Sequence, residues 1–138
     1  MVDGELQAAR KLRSVGIVVQ DLDRSLGFYT DVMGMKEEHR VDVPDIGLVE
    51  SILRFPGPWN PAVVLMHFSD GADHSYVDVG GKLVFEVDDA VSLVEAVRAA
   101  GGEVTREPSE YPGYGLIGMA KDPDGYTLEL IQPPTTGD

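Results

Sequence analysis

The chain has 138 residues and a formal net charge of −13, from 24 acidic residues against 11 Lys and Arg. This acidity argues against nucleic-acid or membrane partners, which need clustered cations, and leaves a small-molecule ligand open. The absence of cysteine excludes disulfides and thiolate metal sites. We find neither a secretory signal nor an apolar run of about 20 residues, so we expect a cytoplasmic protein. The length predicts a single domain over residues 1–138.

The first half of the chain predicts a strand, a helix and three further strands. Residues 3–12 predict a short helix or a loose arm. A helix capped by Asp21 and ended by Gly34 follows the first strand. Its apolar stripe has the spacing of one helical face and consists of Leu22, Leu26, Tyr29 and Met33. The predicted strands are Leu12–Val19, Lys36–Val43, Leu48–Phe55 and Pro61–Phe68.

After a polar, glycine-rich linker over residues 69–81, the same order returns. Asp88 or Asp89 caps the second helix, and Gly101 ends it. The predicted buried stripe of this helix is Ala90, Leu93, Val97 and Ala100. The strands predicted here are Lys82–Val87, Glu103–Glu107 and Gly115–Lys121, with a loop over Ser109–Tyr114 and, after an Asp122-Pro-Asp-Gly turn, a last strand that carries Glu129.

The two halves are a tandem repeat. Asp21 matches Asp89 and Ser14 matches Lys82, each at an offset of 68 residues. In the last strand of each half we expect an offset of 64, which places Leu65 opposite Glu129. The prediction is an α+β fold of two βαβββ modules, over residues 12–68 and 82–132, whose matched positions face a shared cavity.

Two stretches are similar to the signature of a known family. The segment from Val18 to Met35 resembles the opening V-x-D-x-x-x-S-x-x-F-Y-x-x-x-L-G of the vicinal oxygen chelate superfamily, and Asp122 to Glu129 matches its closing D-P-D-G-x-x-x-E. This superfamily contains glyoxalase I, bleomycin-resistance proteins and extradiol dioxygenases. The resemblance implies the glyoxalase/bleomycin-resistance fold, in which two modules form a cupped mixed sheet, and a homodimer.

In glyoxalase-type members, four inward residues, usually His, Glu, His and Glu, hold a divalent metal. The resemblance places these positions at Ser14, Leu65, Lys82 and Glu129. Leucine cannot coordinate a metal, an ammonium repels a cation, and serine is a poor ligand for zinc or nickel. We therefore expect the usual metal site to be absent and no cofactor to be bound.

Three interpretations of the inward polar residues remain open. In the first, Lys82 and Glu129 form a buried ion pair at the seam between the modules and have no chemical role. In the second, they are catalytic together with Glu86 and Ser14. Glu129 is then the general base of a lactoylglutathione-lyase-like isomerase or lyase, and Lys82 stabilises an enolate oxygen. In the third, His67, Glu86 and Glu129 hold a divalent metal at a shifted site.

A non-enzymatic alternative follows from the same resemblance. Bleomycin-resistance-type members bind a planar antibiotic in a groove between two copies. Loop aromatic residues suit such stacking, and the candidates for the binding surface are Trp59, Tyr111 and Tyr114, with His67 and Met119 beside them. The competing interpretation of Trp59 is a lid on the hydrophobic core.

Overall fold

The computed structural model describes residues 11–72, 74 and 82–135. Residues 3–10 of the predicted arm and most of the predicted linker therefore lie outside the described residues, and the described part of the arm, Lys11 and Leu12, is not helical. The elements, in chain order, are β1 (Ser14–Val18), α1 (Leu22–Gly27), a π-helical turn (Phe28–Val32), β2 (Lys36–Val43), a 3₁₀ turn (Pro44–Ile46), β3 (Leu48–Arg54), β4 (Ala62–Phe68), β5 (Lys82–Glu86), α2 (Ala90–Ala99), β6 (Glu103–Tyr111), β7 (Gly115–Lys121) and β8 (Thr127–Gln132).

The strands form two four-stranded mixed sheets with equivalent topology. Their orders are β1-β4-β3-β2 and β5-β8-β7-β6. In each sheet the first strand of the module pairs in parallel with the last, and the remaining pairs are antiparallel. The predicted fold class, an α+β fold of two tandem βαβββ modules, is confirmed.

One strand is longer than predicted. β6 continues through the predicted Ser109–Tyr114 loop as far as Tyr111, because Ser109 and Glu110 pair with Ile117 and Leu116 of β7. A shift of register between Arg106 and Ser109 accommodates Pro108, which has no N–H to donate to the ladder.

Both helices begin at the predicted caps. The Asp21 carboxylate accepts a hydrogen bond from the Arg24 N–H, and the Asp89 carboxylate accepts one from the Ser92 N–H, each at 3.0 Å, which decides between Asp88 and Asp89. The prediction that Ala100 is buried is wrong, because this residue is the C-cap of α2 and lies exposed beyond the helix. No helix in the described part of the chain is long and apolar enough to cross a membrane.

The hydrophobic core is shared by both modules. One face of the first sheet contributes Ile17 and Leu65, and one face of the second contributes Leu128 and Leu130. Buried residues of both helical segments join the same cluster. Because side chains alternate along a strand, the opposite face of each sheet points away from this core. Matched positions of the two modules therefore lie on two outward faces. The prediction that they face one shared cavity is wrong.

The β7–β8 turn of the second module docks on the first module. The Asp124 carboxylate accepts hydrogen bonds from the Ser25 hydroxyl at 2.9 Å and from the Gln20 N–H at 3.0 Å. The Tyr126 hydroxyl donates to the Val18 carbonyl at 3.0 Å. Gly125 makes the turn with a φ of 98°, a value that glycine adopts without steric cost. The Asp-Pro-Asp-Gly motif thus fixes the relative position of the modules.

Candidate functional site

The outer face of the second sheet carries Glu129. Its neighbours in sequence, Leu128 and Leu130, face the core, so Glu129 points to the other side. The register places Val84 of β5 on one side of it and Met119 of β7 on the other. A carboxylate therefore lies between two apolar side chains on the outward surface.

Lys82 forms an ion pair with Glu129. Its Nζ donates to Oε1 of Glu129 from β5, the strand next to β8. The Lys82 side chain is 51% exposed and that of Glu129 is 14% exposed. The predicted pair of Lys82 and Glu129 is thus present, and Lys82 lines a groove together with residues of the first module. The expectation that the pair is buried is wrong, because Lys82 is half-exposed to water. A pair of this kind contributes about 0–1 kcal/mol to folding.

A groove runs beside β5. It has a volume of about 370 Å³, and Lys82, Val84 and Glu86 lie along it. Its opposite wall is mainly apolar and includes Leu12, Val15, Met35, Phe55 and Val63. The groove therefore combines one ammonium and one carboxylate with an apolar wall.

The outer face of the first sheet carries Ser14. It also carries the residue that corresponds to Glu129 in the first module. Gly16, the match of Val84, pairs with Val64, whereas Leu65 pairs with Ile17 and is fully buried in the core. The counterpart of Glu129 is therefore Val64, at an offset of 65 residues, and the expected position Leu65 is wrong. A shift of one residue moves a side chain to the opposite face of a strand.

His67 shares the face of Leu65, the side of the sheet that faces the core. Its Nδ1 lies 3.3 Å from the carbonyl oxygen of Val19. The structure does not bring His67 together with Glu86 and Glu129, since His67 lies on the core side of the first sheet and those two residues lie on the outward face of the second. Among the described residues, no three His, Asp or Glu side chains are grouped so that they could hold a metal ion.

The candidate aromatic residues occupy separate places. Trp59 is 78% exposed in the β3–β4 loop, so it is not a lid on the core. Tyr111, at the end of β6, accepts a hydrogen bond from Arg106, and Tyr114 is exposed in the turn after β6. Trp59 and Tyr111 line different cavities. The structure thus does not combine the three rings into one binding surface.

Sequence reasoning missed a basic cavity beside Trp59. Its lining includes Lys11, Arg13 and Arg54. The two cations Lys11 and Arg13, just before β1, could have indicated a basic site from the sequence alone. That Arg54 lines the same cavity follows only from the pairing of the strands.

The chain belongs to the Glyoxalase/Bleomycin resistance protein/Dioxygenase superfamily, whose family model matches residues 11–130. A lactoylglutathione lyase of Haemophilus influenzae is 35% identical over 120 residues, which are 86% of this chain and 89% of that protein. A lactoylglutathione lyase of Arabidopsis thaliana is 41% identical over 125 residues, which are 89% of this chain and 44% of that protein.

The solved structure of glyoxalase I from Zea mays has the same fold. It superposes with a TM-score of 0.77 at 36% identity and covers 91% of this chain and 46% of that one. The chain thus spans about half the length of the plant relatives and most of the length of the bacterial one. Family and fold place this protein among glyoxalase-like proteins.

Proposed function

We propose that this protein is a lactoylglutathione-lyase-like enzyme that moves a proton next to the carbonyl group of a small compound, with Glu129 as the base. The observation that carries the proposal is the Lys82–Glu129 pair on an outward sheet face. Lys82 engages Oε1, and no described residue forms a hydrogen bond with Oε2. One carboxylate oxygen is thus available to accept a proton.

Lys82 has the charge needed for the other half of this chemistry. When Glu129 removes a proton beside a carbonyl, negative charge develops on the carbonyl oxygen. A half-exposed ammonium next to the base stabilises that enolate oxygen. Glu86 lies on the same strand face as Lys82, two residues beyond Val84, where it can hydrogen-bond a hydroxyl of the substrate.

The residues at the family's metal positions do not fit a four-ligand divalent site. They are the hydroxyl of Ser14, the ammonium of Lys82, the carboxylate of Glu129 and a hydrocarbon side chain, which is Leu65 by the resemblance and Val64 by the strand register. Only the carboxylate is a strong ligand, and it already pairs with a cation. The proposed reaction therefore uses no metal. Elemental analysis of protein purified without chelator tests this, and a stoichiometric divalent metal would contradict it.

The complete site requires a homodimer in this proposal. In the described residues, β1 and β5 are edge strands that each pair with one neighbour only. Val84, beside Glu129, is 53% exposed on the outward face of β5. Packing of the outward face of the first sheet in one copy on the outward face of β5 in another would cover Val84, and it would bring a second Ser14 and Val64 towards Lys82 and Glu129.

The test is turnover by metal-free protein. The substrates are a panel of small keto compounds and the glutathione adduct of methylglyoxal, because the relatives are named lactoylglutathione lyases. Glu129→Gln should lower turnover by about 10²–10⁴-fold and leave substrate affinity unchanged. Glu103→Gln, which removes the same charge from an exposed position in β6, is the control. Undiminished turnover by the Glu129 variant would overturn the proposal.

A binding protein without catalysis is the second candidate, and the exposed ring of Trp59 favours it. A thermal-shift screen separates the two functions. Stabilisation by flat aromatic drugs, with no turnover of any compound in the panel, supports sequestration. Stabilisation by keto compounds or thioesters supports the enzyme.

A further inference from the structure

The chain holds a cationic cavity that the proposed chemistry does not use. It has a volume of about 850 Å³ and lies where the start of β1 meets the β3–β4 loop. Three of the 11 basic residues of the chain line it, and none of its described lining residues is acidic. In a chain with a net charge of −13, such a local excess of positive charge is the opposite of the average surface. The lining residues are Lys11, Leu12, Arg13, Arg54, Trp59, Asn60 and Pro61.

Two of the three cations have no acidic partner among the described residues. Lys11 places its ammonium 3.9 Å from the centroid of the Trp59 ring, and no carboxylate of the described chain pairs with Lys11 or Arg13. The backbone of Arg13 is held in place, because its carbonyl accepts a hydrogen bond from the Ala62 N–H at 3.0 Å. Both side chains are therefore available to an anion.

Arg54 has a different role. Its Nε donates to the Glu38 carboxylate at 2.8 Å, and its Nη1 donates to the carbonyl of Asn60. Arg54 thus ties the loop that carries Trp59 to the end of β3. Its charge is largely compensated by Glu38, so it positions the wall of the cavity.

Trp59 keeps an unfavourable backbone conformation in this loop. Its φ is 69°, in the left-handed region that bulky residues rarely adopt. Such strain persists only where the surroundings hold it, and it is frequent at binding sites. Here it keeps a large ring at the cavity with most of its surface exposed.

We infer that this cavity binds a small anion with at least two carboxylate or phosphate groups, which Lys11 and Arg13 engage beside the Trp59 ring. Charge-assisted hydrogen bonds from an ammonium and a guanidinium to such oxygens are the strong ones in proteins. The cavity shares Leu12, Asn60 and Pro61 with the groove beside β5. The inference does not rest on the proposed reaction, because Lys11, Arg13 and Trp59 do not line that groove.

The test uses the only tryptophan of the chain, Trp59, as its reporter. The full chain is titrated with pyrophosphate and with citrate at low salt, and Trp59 emission and binding heat are recorded. Sodium chloride at matched ionic strength is the blank. We expect a saturable response to at least one of the two anions, and the stronger response identifies phosphate or carboxylate as the preferred group. The affinity should fall as salt is added.

Variants locate the site. Arg13→Gln and Lys11→Gln should each weaken binding by about tenfold, because each removes one charge-assisted contact. Lys121→Gln removes the same charge from the second module and should change the affinity by less than about twofold, since distant charges are screened. The inference fails if neither anion gives a saturable signal or heat, or if the Lys121 variant loses as much affinity as the Arg13 variant.

Discussion

The hydroxyl of Tyr29 donates to Oδ2 of Asp122 at 2.7 Å and thereby joins the helical segment of the first module to the β7–β8 turn of the second. Oδ1 of the same carboxylate accepts the N–H groups of Asp124 and Tyr126, each at 2.9 Å. Both side chains are buried. This buried carboxylate therefore has a donor for each oxygen, and the contact between the modules is polar as well as apolar.

Removing the Tyr29 hydroxyl should destabilise the fold. Tyr29→Phe leaves Oδ2 of Asp122 buried without its donor, which costs about 1–3 kcal/mol of unfolding free energy. Chemical denaturation measures the loss. Tyr111→Phe is the matched control, because its hydroxyl bonds to an exposed arginine, and this change should stay within about 0.5 kcal/mol. Equal losses of unfolding free energy in the two variants would mean that the buried Tyr29 hydrogen bond stabilises the fold no more than the exposed one of Tyr111.

Asp122 should make stability depend on pH. Burial raises the pKa of Asp122 above its usual value, although the hydrogen bonds from Tyr29, Tyr126 and Asp124 act in the opposite direction. The folded state therefore holds this proton more tightly than the unfolded state does. The resulting stabilisation is complete below the unfolded pKa of about 4 and is lost as pH rises through the higher folded pKa.

Asp122→Asn isolates this effect, because the amide keeps an oxygen for the N–H groups of Asp124 and Tyr126. The unfolding free energy of the native chain minus that of the variant should fall as pH is raised from about 4, near the usual carboxyl pKa, to about 8. Denaturation at a series of pH values gives this difference. Glu103→Gln provides the baseline, and a difference that rises with pH for Asp122→Asn would show the opposite shift.

Replacing Lys82 should separate catalysis from stability. Lys82→Met removes the ammonium but keeps an unbranched side chain on β5. Because the Lys82 side chain is half-exposed, the unfolding free energy should change by no more than about 1 kcal/mol. Turnover should fall by about 10²-fold or more, since the developing oxyanion loses its cation. A stability loss of about 3–5 kcal/mol with unchanged turnover would instead indicate a purely structural pair.

Val84 should control the oligomeric state. Val84→Asp places a charge on the outward face of β5, where the proposed partner packs, and burying an unpaired charge there is costly. We expect the variant to elute as a folded monomer in size-exclusion chromatography with light scattering. Val91→Asp is the control, because Val91 is 52% exposed on α2 and Val84 is 53% exposed. A Val84 variant that remains as dimeric as the control would refute the proposed interface.

Local sequence patterns predicted most of the elements. The bounds of β2 and β7 agree with the structure, and Gly34 and Gly101 end their helices with φ values of 85° and 84°. These features depend on steric limits within a few residues, so they can be predicted without tertiary information. β6 is the exception, because pairing with β7 continues the strand past Pro108 into residues that were predicted to form a loop.

The sequence by itself determined the repeat, the order of the elements and the presence of a carboxylate in the last strand. Tertiary structure decided which face of each strand is buried, because a period of two leaves that choice open where adjacent residues are both apolar, as at Val64 and Leu65. It also decided that the predicted pair of Lys82 and Glu129 is partly exposed to water, and that the outer faces of the two sheets point away from a common core. Glu129 was visible in the sequence, but its surroundings depend on how the strands align and how the modules pack.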